Sequence, residues 1–222
     1  MKLFHGSMKI VEKPLYGYGS RRNDYGLGFY CTEDIELAFE WAIDIERDGY
    51  VNEYEMDLNG LKVLRLDEKD VSVLHWLAIL LENRVFSTNY QLARDAKKYL
   101  LKNFLINYKD YDVIIGYRAD DSYFSFANDF ISGAISYRQL ARAMKLGNLG
   151  KQVVLISREA FSRIKFIGAK FAESEKYYDR KCSRDETARK EYFDSRHNKR
   201  VKGDLYINQI LDEEMKPNDP RL

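Results

Sequence analysis

Phe4-His5-Gly6-Ser7 places an imidazole at the end of a short opening strand, Leu3 to Ser7, followed by a residue without a side chain. Imidazole can donate to or accept from a hydroxyl such as that of a ribose, and the bare backbone beside it can pair with a carboxamide. Taken alone, a surface histidine beside a turn is the plainer reading. In Tyr25-Gly26-Leu27-Gly28-Phe29-Tyr30-Cys31-Thr32, glycines allow close approach and Tyr30 presents a ring and a hydroxyl; a core strand with glycines at a bulge explains the same letters. In Lys151-Gln152-Val153-Val154-Leu155-Ile156-Ser157 a polar amide opens a very apolar strand, where an edge residue would also serve. Asp120 and Asp121 follow the apolar run YDVIIGYR, at a strand end where functional groups collect. Adjacent carboxylates in one pocket raise one pKa and provide a base, while two acids capping a helix at Ser122 explain them equally. Arg21 and Arg22, in the glycine-rich loop, could grip a pyrophosphate or another phosphate, or be ordinary surface arginines.

The elements that must position these residues follow from pattern. Residues 14–28 are a glycine-rich loop, and Gly28 to Cys31 a buried strand. Thr32 is a candidate N-cap for an amphipathic helix over 33–47, with Ile35, Ala38, Phe39 and Ala42 at helical spacing. Tyr54, Met56 and Leu58 alternate with acids in a half-exposed strand, and Lys62 to Leu66 reads as its hairpin partner across Asn59-Gly60. Residues 70–83 and 90–107 read as helices, 111–117 as a buried strand, and 122–131 and 136–145 as short helices. Gln152 to Ser157 and Arg163 to Ile167 are strands. Beyond Gly168 the charge is nearly balanced, which suggests solvated helices over 184–197 and 204–214. His75 reads as a partly buried, satisfied histidine. His197, Lys181, Arg184 and Arg189 form a local basic group whose plainest reading is a solvated helix face.

The 222 residues carry 36 Lys/Arg against 35 Asp/Glu, a formal net charge of +1. A chain-wide basic field that would draw in nucleic acid is therefore lacking, although a local patch is compatible with it. Aromatic residues reach 14%, with 17 Tyr, which suits both cores and pockets for planar ligands. Cys31 and Cys182 are too far apart for a zinc spacing or a disulfide framework, so no metal is expected. The first residues lack the apolar stretch of a signal peptide, and the longest apolar run is too short to span a bilayer. A soluble, cytoplasmic protein without membrane partners is the expectation. A P-loop motif is absent.

The ordered set of His in an opening strand, Gly-x-Gly-Phe-Tyr-x-Thr before a helix, and a polar residue heading a late apolar strand resembles the ADP-ribosyltransferase family, in its His-Tyr-Glu branch. The chain more closely resembles a bacterial family of unassigned function placed in that superfamily, whose members look like toxins of toxin–antitoxin or phage-defence operons. The stretches LFHGS, DYGLGFYCT, YDVIIGYRADDSYF, FISGAIS and KQVVLIS carry the likeness over most of residues 3–167. The tail, with Arg184-Asp185, Ala188-Arg189 and Asp219-Pro220-Arg221, is similar to the C-terminal extension of some members. The resemblance implies that His5 hydrogen-bonds the nicotinamide ribose of NAD and that the Gly6 backbone pairs with the carboxamide. It implies that Tyr30 stacks on the nicotinamide ring and that Gln152 fills the third position, usually Glu. Ser7 and Gly28 lie in the same stretches and would then line the NAD site, and Arg21 and Arg22 could grip the NAD pyrophosphate or a phosphate of the acceptor. Gln152 can hold a ribose hydroxyl but has no charge to stabilise a cation, so Asp120 or Asp121 would supply it, or turnover would be slow.

The fold implied is α+β: an ADP-ribosyltransferase-like split β-sandwich forming an NAD cleft over residues 1–167. A helical insertion occupies about 68–110, and a charged helical C-terminal extension covers 168–222. The function implied is mono-ADP-ribosyl transfer from NAD, as a substrate and without metal, to an RNA, DNA or protein acceptor. Its context would be a cytoplasmic toxin or phage-defence effector held in check by an antitoxin protein. A catalytically weak NAD-binding interaction module is the alternative, and a structural partner with a degenerate cleft is a third.

Overall fold

A computed structural model describes residues 1–68, 71–86, 89–119, 121–144, 146, 150–196 and 203–222, and of residues 121–123 and 195–196 the backbone alone. The protein is mixed α+β, built on two sheets. The first is antiparallel, in the order β1 (Lys2–Ser7), β3 (Gly49–Met56), β7 (Ile164–Ala172). The second has the order β2 (Phe29–Cys31), β6 (Lys151–Leu155), β5 (Val113–Tyr117), β4 (Val63–Arg65).

Alternation along the strands explains how the sheets meet. Leu3, Tyr54 and Met56 of the first sheet and Cys31, Val113, Ile115, Val153 and Leu155 of the second share one buried cluster, so the sheets pack face to face. The residues between them face the other way. Phe4, Val51 and Ala172 pack under α1 (Ile35–Ala42). Ile114 and Val154 lie under a larger helical core dominated by α2 (Val73–Asn83), whose residues from Val73 to Leu81 are almost all buried. Helices α3 (Gln91–Asn103), α4 (Asp121–Ile131) and α5 (Tyr137–Ala143) complete that layer. The short α6 (Arg158–Ser162) links β6 to β7.

Three local expectations are corrected. Asp34, not Thr32, caps α1: its carboxylate accepts from the N–H groups of Glu36 and Leu37, while Thr32 is buried and bridges to Phe4. The helix closes at Ala42 instead of running to 47. The segment after Asn59-Gly60 is not a hairpin partner of β3, because β4 crosses to the other sheet and pairs parallel with β5, Leu64 opposite Ile114. Parallel neighbours need a long crossover, and α2 and α3 supply it; the helical insertion is that connection.

The C-terminal region is also less solvated than its charge suggests. Strand β7 runs through Gly168 to Ala172, and α7 (Ser174–Arg196) docks on the body. Tyr177 stacks on Phe39 at 4.5 Å, Tyr192 stacks on Phe126 at 3.7 Å, and Ala188 is buried. Helix α8 (Ile207–Asp212) buries Ile207 and Ile210 in the helical core. Expected helices over 184–197 and 204–214 are therefore found with shifted ends, and His197 lies outside the described residues. Among the described helices none is long and apolar enough to cross a membrane.

Candidate functional site

A cleft of about 1090 Å³ opens where the two sheets and α7 meet. His5, Gly6, Ser7, Gly28, Tyr30 and Gln152 all line it, so residues far apart in sequence converge there. Each is placed by a specific local cause.

His5 shares the inward parity of Leu3 on β1. Its Nδ1 lies 2.7 Å from the carbonyl oxygen of Tyr30, and its ring sits 4.4 Å from that of Phe29. A carbonyl only accepts, so Nδ1 carries the proton and Nε2 is left as an acceptor. Burial lowers the imidazole pKa, outweighing the hydrogen bond to Tyr30, which keeps the ring neutral. The strand end is fixed from β3. Asn52, fully buried, donates to the His5 carbonyl (3.2 Å), the Ser7 hydroxyl (3.0 Å) and the Lys9 carbonyl (3.3 Å), and accepts from the Val11 N–H (2.7 Å). Sequence reasoning missed Asn52; its polarity inside an alternating strand, opposite His5 in register, was the available signal.

Gly6 has a packing reason to be glycine. A Cβ there would collide with the backbone of α1 at Ala38, Trp41 and Ala42. Phe4 exchanges both backbone hydrogen bonds with Thr32. The N–H and C=O of Gly6, two residues on, point to that same edge. Gly28 is likewise pressed against β6, where a Cβ would meet Val154 at 2.7 Å.

Tyr30 sits opposite Val154, on the helical-core face of the second sheet. Its hydroxyl donates to Gly26 O at 2.6 Å and accepts from Tyr25 N–H at 3.1 Å. Burial raises its pKa well beyond the ordinary phenol range. The hydroxyl thus pins the preceding loop and leaves the ring as the part that can meet a ligand.

Gln152 lies two residues from Val154 on the same face, opposite Gly116 of β5. It is 7% exposed, and its Oε1 has no hydrogen-bond partner among the described residues. Tyr25 fills the space over Gly116 and donates to the Tyr117 carbonyl at 2.6 Å. An unpaired buried acceptor costs about 1–3 kcal/mol.

The cleft carboxylates are all engaged. Asp24 meets Arg84 at 3.0 Å and accepts from Ala119 N–H at 2.8 Å. Glu40 is clasped by Arg184 through two contacts of 2.9 Å. Asp44 pairs with Arg47 and Asp185 with Arg189. Among the described residues, every acid lining the cleft therefore has a cationic partner. Arg21 and Arg22 are exposed and are not among the lining residues; Arg84 and Arg118 stand there instead. Asp120 and the side chain of Asp121 lie outside the described residues. Lys181, Arg184 and Arg189 are not simply a solvated helix face: they line the cleft from α7. His75 holds the Phe104 carbonyl at 2.6 Å, as a satisfied core histidine. Among the described residues no three His, Cys, Asp or Glu cluster as metal ligands.

The fold and cleft define a two-sheet α+β protein with a large cleft lined from both sheets, α1 and α7. Compared with known families, residues 1–166 match the family described as Protein of unknown function (DUF3990). The chain belongs to that family, and the match contains the whole of the cleft except its α7 wall. No curated protein and no solved structure matches the chain.

Proposed function

We propose that the protein is a mono-ADP-ribosyltransferase that moves ADP-ribose from NAD to a macromolecular acceptor. One observation carries this reading: His5, Tyr30 and Gln152, the three positions of the resemblance, line one cleft, with the Gln152 acceptor buried and unpaired. The chemistry asked of them is consistent with their settings. The bond between nicotinamide N1 and ribose C1′ breaks, and its electron pair leaves with neutral nicotinamide. The acceptor nucleophile bonds to C1′ and gives up its proton. The Tyr30 ring would hold the leaving group, His5 Nε2 and Gln152 Oε1 would accept from ribose hydroxyls, and the Gly6 edge would meet the carboxamide. Holding the sugar and the leaving group separately favours the state in which the bond between them is stretched.

A cytoplasmic toxin or phage-defence role, with a neutralising protein partner, belongs to the same proposal and rests on the resemblance. A second reading has its own support. Gln152 brings no charge to a developing oxocarbenium ion, and the described cleft acids are ion-paired, which suits an NAD-binding module of low turnover. Nicotinamide release from labelled NAD, measured with cell lysate before and after nuclease and protease treatment, decides. Label passing into RNA, DNA or protein is the expected result and names the acceptor class. Tight NAD binding with no release in any lysate moves the assignment to the binding module.

A further inference from the structure

Gln152 Oε1 has a counterpart of opposite polarity in the lining of the same cleft. Trp41, on α1, also lines the cleft, and its Nε1 is a buried donor without a partner among the described residues. The Arg118 guanidinium lies over the same indole, 4.6 Å from the ring centre. Arg118 follows β5 and lines the cleft too. An indole N–H and a guanidinium only donate. Whatever meets Trp41 Nε1 must present an acceptor oxygen, and the positive charge of Arg118 and of Lys181, which also lines the cleft, suits an acceptor that is negative. Gln152 Oε1, from the second sheet, only accepts and calls for a hydroxyl or amide donor. A ligand with sugar hydroxyls at one end and a diphosphate at the other satisfies both walls.

We infer that Trp41 and Arg118 form a diphosphate-binding subsite, in which Trp41 Nε1–H donates to a phosphate oxygen and Arg118 neutralises it. The inference rests on the NAD reading of the cleft and adds a group that the resemblance does not assign. It also reassigns the phosphate grip from Arg21 and Arg22, which are exposed and stand outside the lining.

The chain has two tryptophans, and the other, Trp76, is fully buried with its Nε1 donating to the Tyr117 carbonyl at 3.2 Å. Tryptophan emission therefore reports Trp41 when ligand enters the cleft. The full chain is titrated with ADP-ribose, NAD, inorganic pyrophosphate and nicotinamide, following emission and, in parallel, binding heat. ADP-ribose, NAD and pyrophosphate should change the emission, and nicotinamide alone should change it little. Trp41→Phe, which keeps a ring under Arg118 but lacks the N–H, should lose the emission change and weaken ADP-ribose about tenfold, the scale of one hydrogen bond to a charged acceptor. Arg118→Gln, which alters no core packing, should weaken ADP-ribose and pyrophosphate similarly even if Trp41→Phe folds poorly. NAD binding equally to wild type and both variants overturns the subsite and leaves the NAD reading standing. Pyrophosphate binding with the Trp41 signal, but no NAD binding, overturns the NAD reading and leaves the subsite. Binding of none of the phosphate ligands overturns both.

Discussion

His5 Nδ1 hydrogen-bonds the Tyr30 carbonyl at 2.7 Å, so two residues twenty-five positions apart in the chain, on different sheets, are in direct contact. The bond orients the imidazole and simultaneously secures β2 beside the end of β1. It makes the histidine both a cleft-lining group and a tie between the sheets.

That tie gives a pH signature. The folded His5 pKa lies below its ordinary value, first because of burial, so the unfolded chain binds the extra proton first. The His5 contribution to stability is full above the unfolded pKa near 6.5 and is lost as pH falls from there toward the folded value. Thermal unfolding of wild type beside His5→Gln, followed from pH 7.5 to 5, should show the two melting temperatures converging as pH falls. A gap that widens toward acid would contradict the neutral, carbonyl-bound ring.

Gln152→Ala should reduce nicotinamide release about 100-fold, the scale of removing one transition-state hydrogen-bonding group. Gln152→Glu should raise release about tenfold above wild type, because it places negative charge beside the developing cation. Single-turnover rates with saturating NAD read both. Equal rates in all three proteins would remove Gln152 from the chemistry.

Asn52→Ala deletes the partner of four backbone and hydroxyl groups at the end of β1. Losing these bonds at a partly exposed strand end should cost about 2 kcal/mol, a fall of about 4–8 °C in Tm for a chain of this size. NAD binding should weaken with it, since the His5 and Ser7 turn loses its support. Calorimetric unfolding and binding heats test this, and an unchanged Tm would show that water replaces the amide.

Arg184→Met leaves the buried Glu40 carboxylate without its cation while keeping much of the aliphatic bulk. Arg184 is about a quarter exposed, so the cost is set below that of a fully buried pair, at about 2 kcal/mol. Helix α7 should become more open to limited proteolysis near this point. Restoration by the double change Arg184→Met with Glu40→Leu would confirm that the uncompensated charge, and not lost packing, is responsible.

Much of the framework was legible in the sequence because buried strands read as short apolar runs. Leu3 to Ser7, the FYC strand, YDVIIGY and KQVVLIS all appear as strands, and α2 and α3 fall where helical spacing put them. The hairpin across Asn59-Gly60 failed because turn residues state a local preference, whereas the partner of Val63–Arg65 is chosen by Val113–Ile115 fifty residues on. The α1 cap failed because Thr32 is taken by Phe4 across the sheets, which frees Asp34 for the role. Of the candidate site, His5, Gly6, Ser7, Gly28, Tyr30 and Gln152 were found as lining residues, while Asn52, Trp41 and Arg118 were not. Their types carry no motif: the register of β3 against β1 sets Asn52 behind the His5 strand, the crossing of α1 over Gly6 brings Trp41 to the cleft, and Arg118 reaches it from the end of β5. The α7 wall was hidden by its charge: its aromatic anchors, Tyr177 and Tyr192, are two among many tyrosines in a polar run.

The strand order of the first sheet sets when such a site can exist. Strand β3 lies between β1, near the start of the chain, and β7, where Tyr50 meets Phe171. Closing that pairing spans more than half of the chain, and contacts this remote in sequence form slowly and late. Helix α7, which follows β7 and walls the cleft, is placed only once this closure is made, so a half-folded chain carries an incomplete cleft. Activity should return during refolding as a single late step, well after the helical layer has condensed.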